Sequence, residues 1–175
     1  GTSLMMQMLD KGGVDILQDQ LREADISNPK GYYEYKPVMS LYKDNTWLSK
    51  GQDKAVKVVA PLLKYLDSTL RYKIIFMRRD LNEIIQSQQK MIGKSEQEFP
   101  VTLYNKYQKL LANVTLWDKS EPGVEILYVN YTDVLENPAT ELARIEKFLG
   151  VAVNKQEMIN CVDVSLYRNR TKAKK

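Results

Sequence analysis

The first residues of the chain combine features of an anion site. Gly1, Thr2 and Ser3 run directly into an apolar stretch that begins at Leu4. A helix that begins at Thr2 or Ser3 would direct unpaired backbone N–H groups and the positive end of its dipole at the preceding loop, and the two hydroxyls would add donors. Serine and threonine before an apolar run are also the ordinary N-cap residues of helices. The pattern therefore predicts either a phosphate-binding helix start or a plain cap.

Basic side chains lie inside one predicted strand and directly after another. Lys57 lies within the β-branched run 55–59, and Arg78 and Arg79 follow the apolar run 72–77. A strand that delivers arginines to a helix start at the carboxyl edge of a sheet is the usual position of an anion site in α/β proteins. Two alternatives stay open: a lysine at a sheet edge whose ammonium reaches water, and arginines that pair with surface carboxylates.

A carboxylate among tyrosines is a candidate general base. The loop predicted over 28–31 leads to Glu34, which has Tyr32, Tyr33 and Tyr35 as its neighbours in the chain. A carboxylate in a partly desolvated pocket walled by aromatic rings is suited to accept a proton from a substrate. A tyrosine-rich surface loop is the alternative interpretation.

Composition narrows the chemistry further. The chain has 175 residues, no histidine and one cysteine, Cys161. These counts exclude a histidine base, an intramolecular disulfide and a cysteine cluster for metal, so a carboxylate, a lysine, a tyrosine or the thiol must accept any proton. The net charge of +4, from 26 basic and 22 acidic residues, is too small for a dedicated nucleic-acid-binding protein, but it suits a protein that holds a small, highly charged anion.

The alternation of strands and helices predicts a single α/β domain over 1–175, in which helices cover both faces of a mainly parallel sheet, a three-layer α/β/α sandwich. An anion-binding helix start in such a fold follows a strand, so we expect a strand and the start of the loop upstream of Gly1. Asp80 and Glu83 are predicted as the capping box of a helix. The predicted strands are 55–59, 72–77 and 124–129, and the predicted helices are 2–11, 15–25, 37–48, 81–91, 103–117, 138–149 and 155–161.

The location of the protein is predicted from what the sequence lacks. Every apolar run is shorter than the roughly 18 residues of a membrane span, and no signal peptide is recognisable. The single cysteine suits a reducing compartment. We therefore expect a cytoplasmic protein without a membrane span, and the sequence leaves its oligomeric state open.

The order of these motifs resembles the sulfotransferases that use 3′-phosphoadenosine 5′-phosphosulfate (PAPS), a branch of the P-loop NTPase-like fold. The resemblance spans nearly the whole chain. Gly1, Thr2 and Ser3 are similar to the end of the family's 5′-phosphosulfate loop, and Arg79 with Ser87 is similar to its 3′-phosphate motif, the most specific pair in the chain. The stretch that begins at Tyr131 resembles the family's Tyr-Glu-Asp-Leu segment, which implies a position near the adenine for this tyrosine.

The resemblance also implies the residues that carry the reaction. The segment around Lys57 is similar to the strand whose lysine lies near the transferred sulfuryl group, and Val59 stands where cytosolic members have their histidine base. Branches of the family without this histidine use a glutamate. Glu34 is therefore our candidate base, and Glu23 and Asp25 are the reserves.

Other positions depart from the family pattern. Leu4 stands where cytosolic members place a tryptophan against adenine, and Thr132 replaces a glutamate. The basic C-terminal loop of the family, which closes on the 3′-phosphate, has Arg168 and Arg170 as its candidate substitutes here.

The resemblance implies an in-line transfer of a sulfuryl group from PAPS to a hydroxyl or amine, with PAP as the product and no metal. The acceptor would be a small molecule or a carbohydrate, and no nucleic-acid partner is expected. Two alternatives remain open: a catalytically inactive nucleotide-binding or interaction module, and a P-loop kinase that acts on a nucleotide or another small molecule.

Overall fold

The protein is built around two parallel strands. The structure, a computed structural model, describes residues 1–19, 31–91 and 100–163. Strand β1 (Tyr72–Arg78) pairs in parallel with strand β2 (Val124–Asn130) along its whole length, from Tyr72 opposite Val124 to Arg78 opposite Asn130. In the described part of the chain the sheet has these two strands. Parallel neighbours need a crossover connection, which two helices provide here. The α/β fold class with parallel strands is confirmed.

Six α-helices and three short 3₁₀ helices are described. The α-helices are α1 (Thr2–Lys11), α2 (Leu81–Met91), α3 (Val101–Ser120), α4 (Tyr131–Glu136), α5 (Pro138–Leu149) and α6 (Lys155–Asn160). The 3₁₀ helices are Lys36–Ser40, Thr46–Gly51 and Ala60–Tyr65.

Helices lie on both faces of the strand pair. Met77 and Val129 face a core that also contains Met8, Leu142 and Met158, which come from α1, α5 and α6. Tyr128 lies on the opposite face and donates its hydroxyl hydrogen to Asp118 on α3, at an O···O distance of 3.1 Å. The prediction that helices cover both faces is confirmed for these two strands. A second, smaller core consists of Val38, Leu41 and Trp47, which lie within or next to the 3₁₀ helices.

From β1 onward the predicted strands and helices are confirmed with small shifts at their ends, but α4 is absent from the prediction. Helix α5 has Asn137 at its N-cap, Pro138 in its first turn and Gly150 in the left-handed conformation (φ 73°) at its end. These residues are the start and stop signals on which the prediction rests.

Two predictions before β1 are wrong, the strand 55–59 and the described part of the helix 15–25, because their backbones bond to each other instead. The predicted strand 55–59 contributes only an isolated parallel bridge, in which Ala55 pairs with Ile16. Ile16 belongs to the predicted helix 15–25, whose described part, 15–19, is not helical because its backbone bonds go to Ala55. The run 55–59 ends where Pro61 starts a 3₁₀ helix.

The predicted helix over 37–48 is also wrong, since two 3₁₀ helices separated by a turn take its place. In that turn the Asp44 carboxylate accepts hydrogen bonds from the Thr46 amide (3.0 Å) and hydroxyl (2.7 Å). Local bonds of this kind compete with helical ones and interrupt the helix.

Within the described residues, no helix combines the length and apolar character needed to cross a membrane. The single-domain organisation and the cytoplasmic location stay predictions.

Candidate active site

Helix α1 begins without a side-chain cap. Gly1 is the N-cap residue, its carbonyl accepts the Met5 amide at 3.0 Å, and Thr2 and Ser3 lie in the first turn. Plain capping by either hydroxyl is therefore the wrong alternative. The first backbone N–H groups of a helix have no partner within that helix, so the start of α1 attracts an anion.

Lys57 bonds to two other segments of the chain, the start of α1 and the loop that contains Tyr32 and Glu34. Its Nζ donates to the Tyr32 carbonyl (2.8 Å), the Ser3 hydroxyl (3.2 Å) and the Glu34 carboxylate (3.5 Å). The side chain of Lys57 is only 12% exposed, and its ammonium lies 5.6 Å from the centroid of the Tyr32 ring. The ammonium therefore points into the protein, and the alternative of a lysine whose ammonium reaches water is wrong.

A strained turn presents Glu34 to this cluster. Gly31 has φ 88° and Tyr33 has φ 52°, the left-handed region that costs a tyrosine conformational energy. The Tyr33 hydroxyl donates to Asp10 on α1 at 3.4 Å, and the Asp19 amide donates to the Glu34 carbonyl at 3.1 Å. Burial raises the pKa of Tyr33, and the Asp10 charge raises it further, so the phenol stays protonated and keeps donating. Hydrogen bonds to Asp10 and from Asp19 therefore hold this turn in place.

Glu34 is more accessible than the sequence suggests. Its side chain is 42% exposed, although it pairs with the partly buried Lys57 ammonium. Of the neighbouring tyrosines, Tyr32 is buried, whereas Tyr35 packs edge-on against Trp47 in the second core, with centroids 5.1 Å apart. The expected pocket walled by all three tyrosines is therefore wrong, and an acceptor can reach the carboxylate from solvent.

Arg79 is held by a buried carboxylate beyond the end of β1. Its Nε donates to Glu83 on α2 at 2.8 Å, and Glu83 is only 4% exposed. The guanidinium carbon lies 5.0 Å from the centroid of the Tyr131 ring. The alternative of pairing with a surface carboxylate is wrong for Arg79. The neighbouring Arg78 is exposed and lies over the Tyr128 ring, at 3.8 Å from its centroid.

The structure shows one half of the capping box predicted for α2. Asp80 caps the helix as expected, since its carboxylate accepts the amides of Asn82 (2.8 Å) and Glu83 (3.3 Å). The Glu83 carboxylate, however, bonds to Arg79. The capping-box pattern does not predict this role of Glu83, although the spacing of four residues from Arg79 is a recognisable signal for a helical ion pair.

The Lys57 and Arg79 clusters meet at Gly1. A Cβ atom added to Gly1 would lie 2.9 Å from the Tyr131 ring and 3.2 Å from Met77, so only glycine fits beside that ring. Lys57 reaches the start of α1 through its bond to Ser3, and Arg79 reaches it through Tyr131. Both cations therefore act on one point, the start of α1.

The remaining predicted site residues are Thr2, Ser87 and four residues outside the described ranges. Thr2 is exposed in the first turn of α1. Ser87 lies partly buried on α2, and none of the contacts in the described part of the chain joins its hydroxyl to Arg79. Within the same part of the chain there is no group of three or more metal-ligating side chains. Four predicted residues lie outside the described ranges: Glu23, Asp25, Arg168 and Arg170.

Comparison with known proteins adds an independent finding. Residues 71–155, just under half of the chain, match the model of the Sulfotransferase family. The matched segment contains β1, Arg79, Glu83, Ser87 and Tyr131. Comparisons with curated proteins and with solved structures find no match. The region 71–155 of this chain is therefore similar to the sulfotransferase family, as the motifs in the sequence predict.

Proposed function

We propose that the chain is a sulfotransferase that uses PAPS as its donor and transfers the sulfuryl group to a hydroxyl or amine. The observation that carries the proposal is the convergence of Lys57 and Arg79 on the start of α1. These residues come from different segments, and only Arg79 lies within the family match. The donor identity and the acceptor are the parts of the proposal that extend beyond the family.

The groups at this site suit such a donor. The start of α1, the Ser3 hydroxyl and the Lys57 ammonium offer N–H and O–H groups to a phosphosulfate, and the Arg79 guanidinium offers a planar pair of N–H groups to a phosphate. PAPS, when bound, supplies an activated sulfuryl group on a phosphate leaving group and a 3′-phosphate that ATP lacks. One cation for each anionic end is the pattern that such a molecule requires.

Different residues of the chain would carry the separate parts of the transfer. Lys57 would stabilise negative charge that develops on oxygens next to Ser3 and the α1 start, as preorganised donors do in other transferases. Glu34, 3.5 Å from the same ammonium and open to solvent, would take the proton from the attacking hydroxyl or amine on its carboxylate. Arg79 would bind the 3′-phosphate, and Tyr131 would lie beside the adenine.

Nucleotide preference tests the proposal. Titration calorimetry of the whole chain is carried out with adenosine 3′,5′-bisphosphate (PAP) and with ADP, each with and without Mg²⁺. We expect tighter binding of PAP, and no requirement for Mg²⁺. Preference for ADP with Mg²⁺ would instead support the kinase alternative.

Turnover distinguishes an enzyme from an inactive binding module. The chain is incubated with PAPS and a panel of phenols, amines and saccharides, and the products are analysed by mass spectrometry for an added sulfate. At least one acceptor should gain sulfate in a time-dependent manner. PAP binding without transfer to any acceptor in the panel would support the inactive module.

A further inference from the structure

Glu83 is an unusual residue for the site because it is a carboxylate in a buried position. It is 4% exposed, and it is one of two buried acidic side chains in the described part of the chain, the other being Glu141. A buried charge is tolerated when it is paired and hydrogen-bonded. Its bond to Arg79 Nε, at 2.8 Å, provides such a pairing.

The bond to Glu83 restricts how Arg79 can turn. A carboxylate that accepts from Nε fixes that edge of the guanidinium, and the Tyr131 ring lies 5.0 Å from the guanidinium carbon. These two contacts, in different directions, restrict the orientation of the guanidinium plane. Bidentate recognition of a phosphate depends on that orientation, because the paired N–H groups must lie in the plane of two phosphate oxygens.

The same contacts connect Glu83 to the start of α1. Arg79 lies against Tyr131, and Tyr131 fills the space where a side chain on Gly1 would be. Glu83 lies in the first turn of α2, four residues after Arg79 in the chain, and pairs with it directly. It is therefore placed to act on a bound nucleotide through Arg79.

We propose that Glu83 is a positioning residue that orients Arg79 and thereby determines the preference of the site for a nucleotide with a 3′-phosphate. This inference rests on the proposed function, because it takes the 3′-phosphate as the ligand of Arg79. It adds a residue that selects between nucleotides with and without that phosphate.

The chain offers a matched control for this role. Glu141 is 5% exposed and binds Arg144 on the same helix, with Nη1 to carboxylate distances of 2.6 Å and 2.8 Å. Arg144 also donates to the Tyr128 carbonyl at 3.3 Å, so this pair supports α5 against β2. Glu141→Gln thus removes a buried charge from a similar pair that serves the packing of the fold.

The experiment measures the affinities of PAP and adenosine 5′-monophosphate (AMP) by calorimetry for the wild type, Glu83→Gln and Glu141→Gln. The ratio of the two dissociation constants reports recognition of the 3′-phosphate alone. We expect Glu83→Gln to lower the preference for PAP about tenfold, the size of effect typical of a bond to a charged group, while AMP binding changes little. Glu141→Gln should lower the melting temperature and leave the ratio unchanged.

Two further variants separate orientation from charge. Glu83→Asp keeps the negative charge but shortens the side chain by one methylene, so it should also lower the preference for PAP. It serves equally if Glu83→Gln does not fold. In Arg79→Lys, which has no guanidinium to orient, adding Glu83→Gln should change the ratio far less than it does in the wild type, because the two residues act as a unit.

Each remaining outcome decides against one of the two proposals. Equal weakening of PAP and AMP by Glu83→Gln would mean that Glu83 only supports the fold, and tighter binding of PAP would mean that it only neutralises Arg79. Either result overturns the positioning role and leaves the proposed function intact. A wild type that does not prefer PAP over AMP overturns the proposed function, and the role of Glu83 falls with it.

Discussion

The two cationic clusters at the start of α1 are assembled in different ways. Lys57 is held by Ser3, Tyr32 and Glu34, which lie at least 23 residues from it in the chain. Arg79 is held by Glu83, only four residues away on the following helix turn. The first cluster depends on the folding of the whole N-terminal region, whereas the ion pair of the second is formed within one helix start. We expect the first to carry the chemistry of transfer and the second to carry nucleotide recognition.

The largest effect is expected from Glu34→Gln, which tests whether the Lys57 cluster carries the chemistry. The amide keeps the shape of the side chain but cannot accept a proton as a base. Turnover should fall by roughly 10²–10⁴-fold, the usual contribution of a general base, and PAP affinity should change little. The rate of sulfate transfer and a PAP titration are measured on the same preparation. A fully active variant would remove Glu34 as the base and leave the reserves Glu23 and Asp25 to be tested.

Lys57→Met should produce the next largest loss. The substitution keeps an unbranched side chain, one atom shorter, and removes the cation beside Ser3, so turnover should fall by about 10²–10³-fold, as when a preorganised donor is lost from an active site. Lys64→Met is the matched control, since Lys64 is exposed and its ammonium lies over the Tyr65 ring. If Lys57→Met weakens PAP binding and spares turnover, the assignment of transfer to one cluster and recognition to the other is wrong.

Gly1→Ala addresses the point where the two clusters meet. The new methyl group would lie 2.9 Å from the Tyr131 ring, so either the ring or the start of α1 must shift. Overpacking of this kind costs about 1–3 kcal/mol, and both PAP affinity and the melting temperature should fall. Gly51→Ala is the control, because its nearest neighbour, Val56, would be in ordinary contact at 3.4 Å. A normal PAP affinity for Gly1→Ala would show that the contact with Tyr131 is not required for binding.

The difference between the clusters also explains how far the sequence predicted the fold. The strands β1 and β2 and the helix α5 were predicted because their signals are local: apolar runs, a capping asparagine, a first-turn proline and a terminal glycine. The run 55–59 has the same β-branched character, but among the described residues it pairs only through the bridge from Ala55 to Ile16, and Pro61 follows it. Pairing partners distant in sequence decide such a segment, and periodicity does not identify them.

The site residues show the same difference between local signals and contacts distant in sequence. Lys57 and Glu34 were identified as candidates one by one, but their meeting with Ser3 needs a contact across 54 residues that no local pattern encodes. Glu83 was missed for the opposite reason. Two local signals compete at that position, since a spacing of three from Asp80 predicts a capping box and a spacing of four from Arg79 predicts an ion pair. Burial beneath Arg79 favours the ion pair, and burial is set by tertiary packing.

The smallest effect is expected from Ser87→Ala, which sharpens the role of the Arg79 cluster. The family motif pairs this serine with Arg79, yet the described contacts hold Arg79 through Glu83 and Tyr131. If the Ser87 hydroxyl donates to the 3′-phosphate only when nucleotide is bound, its loss should weaken PAP by roughly tenfold, the low end of the range for a hydrogen bond to a charged group, and leave AMP unchanged. Calorimetry with both nucleotides measures this difference. An unchanged PAP affinity would leave recognition of the 3′-phosphate to Arg79, and the orientation set by Glu83 would then carry more of the preference.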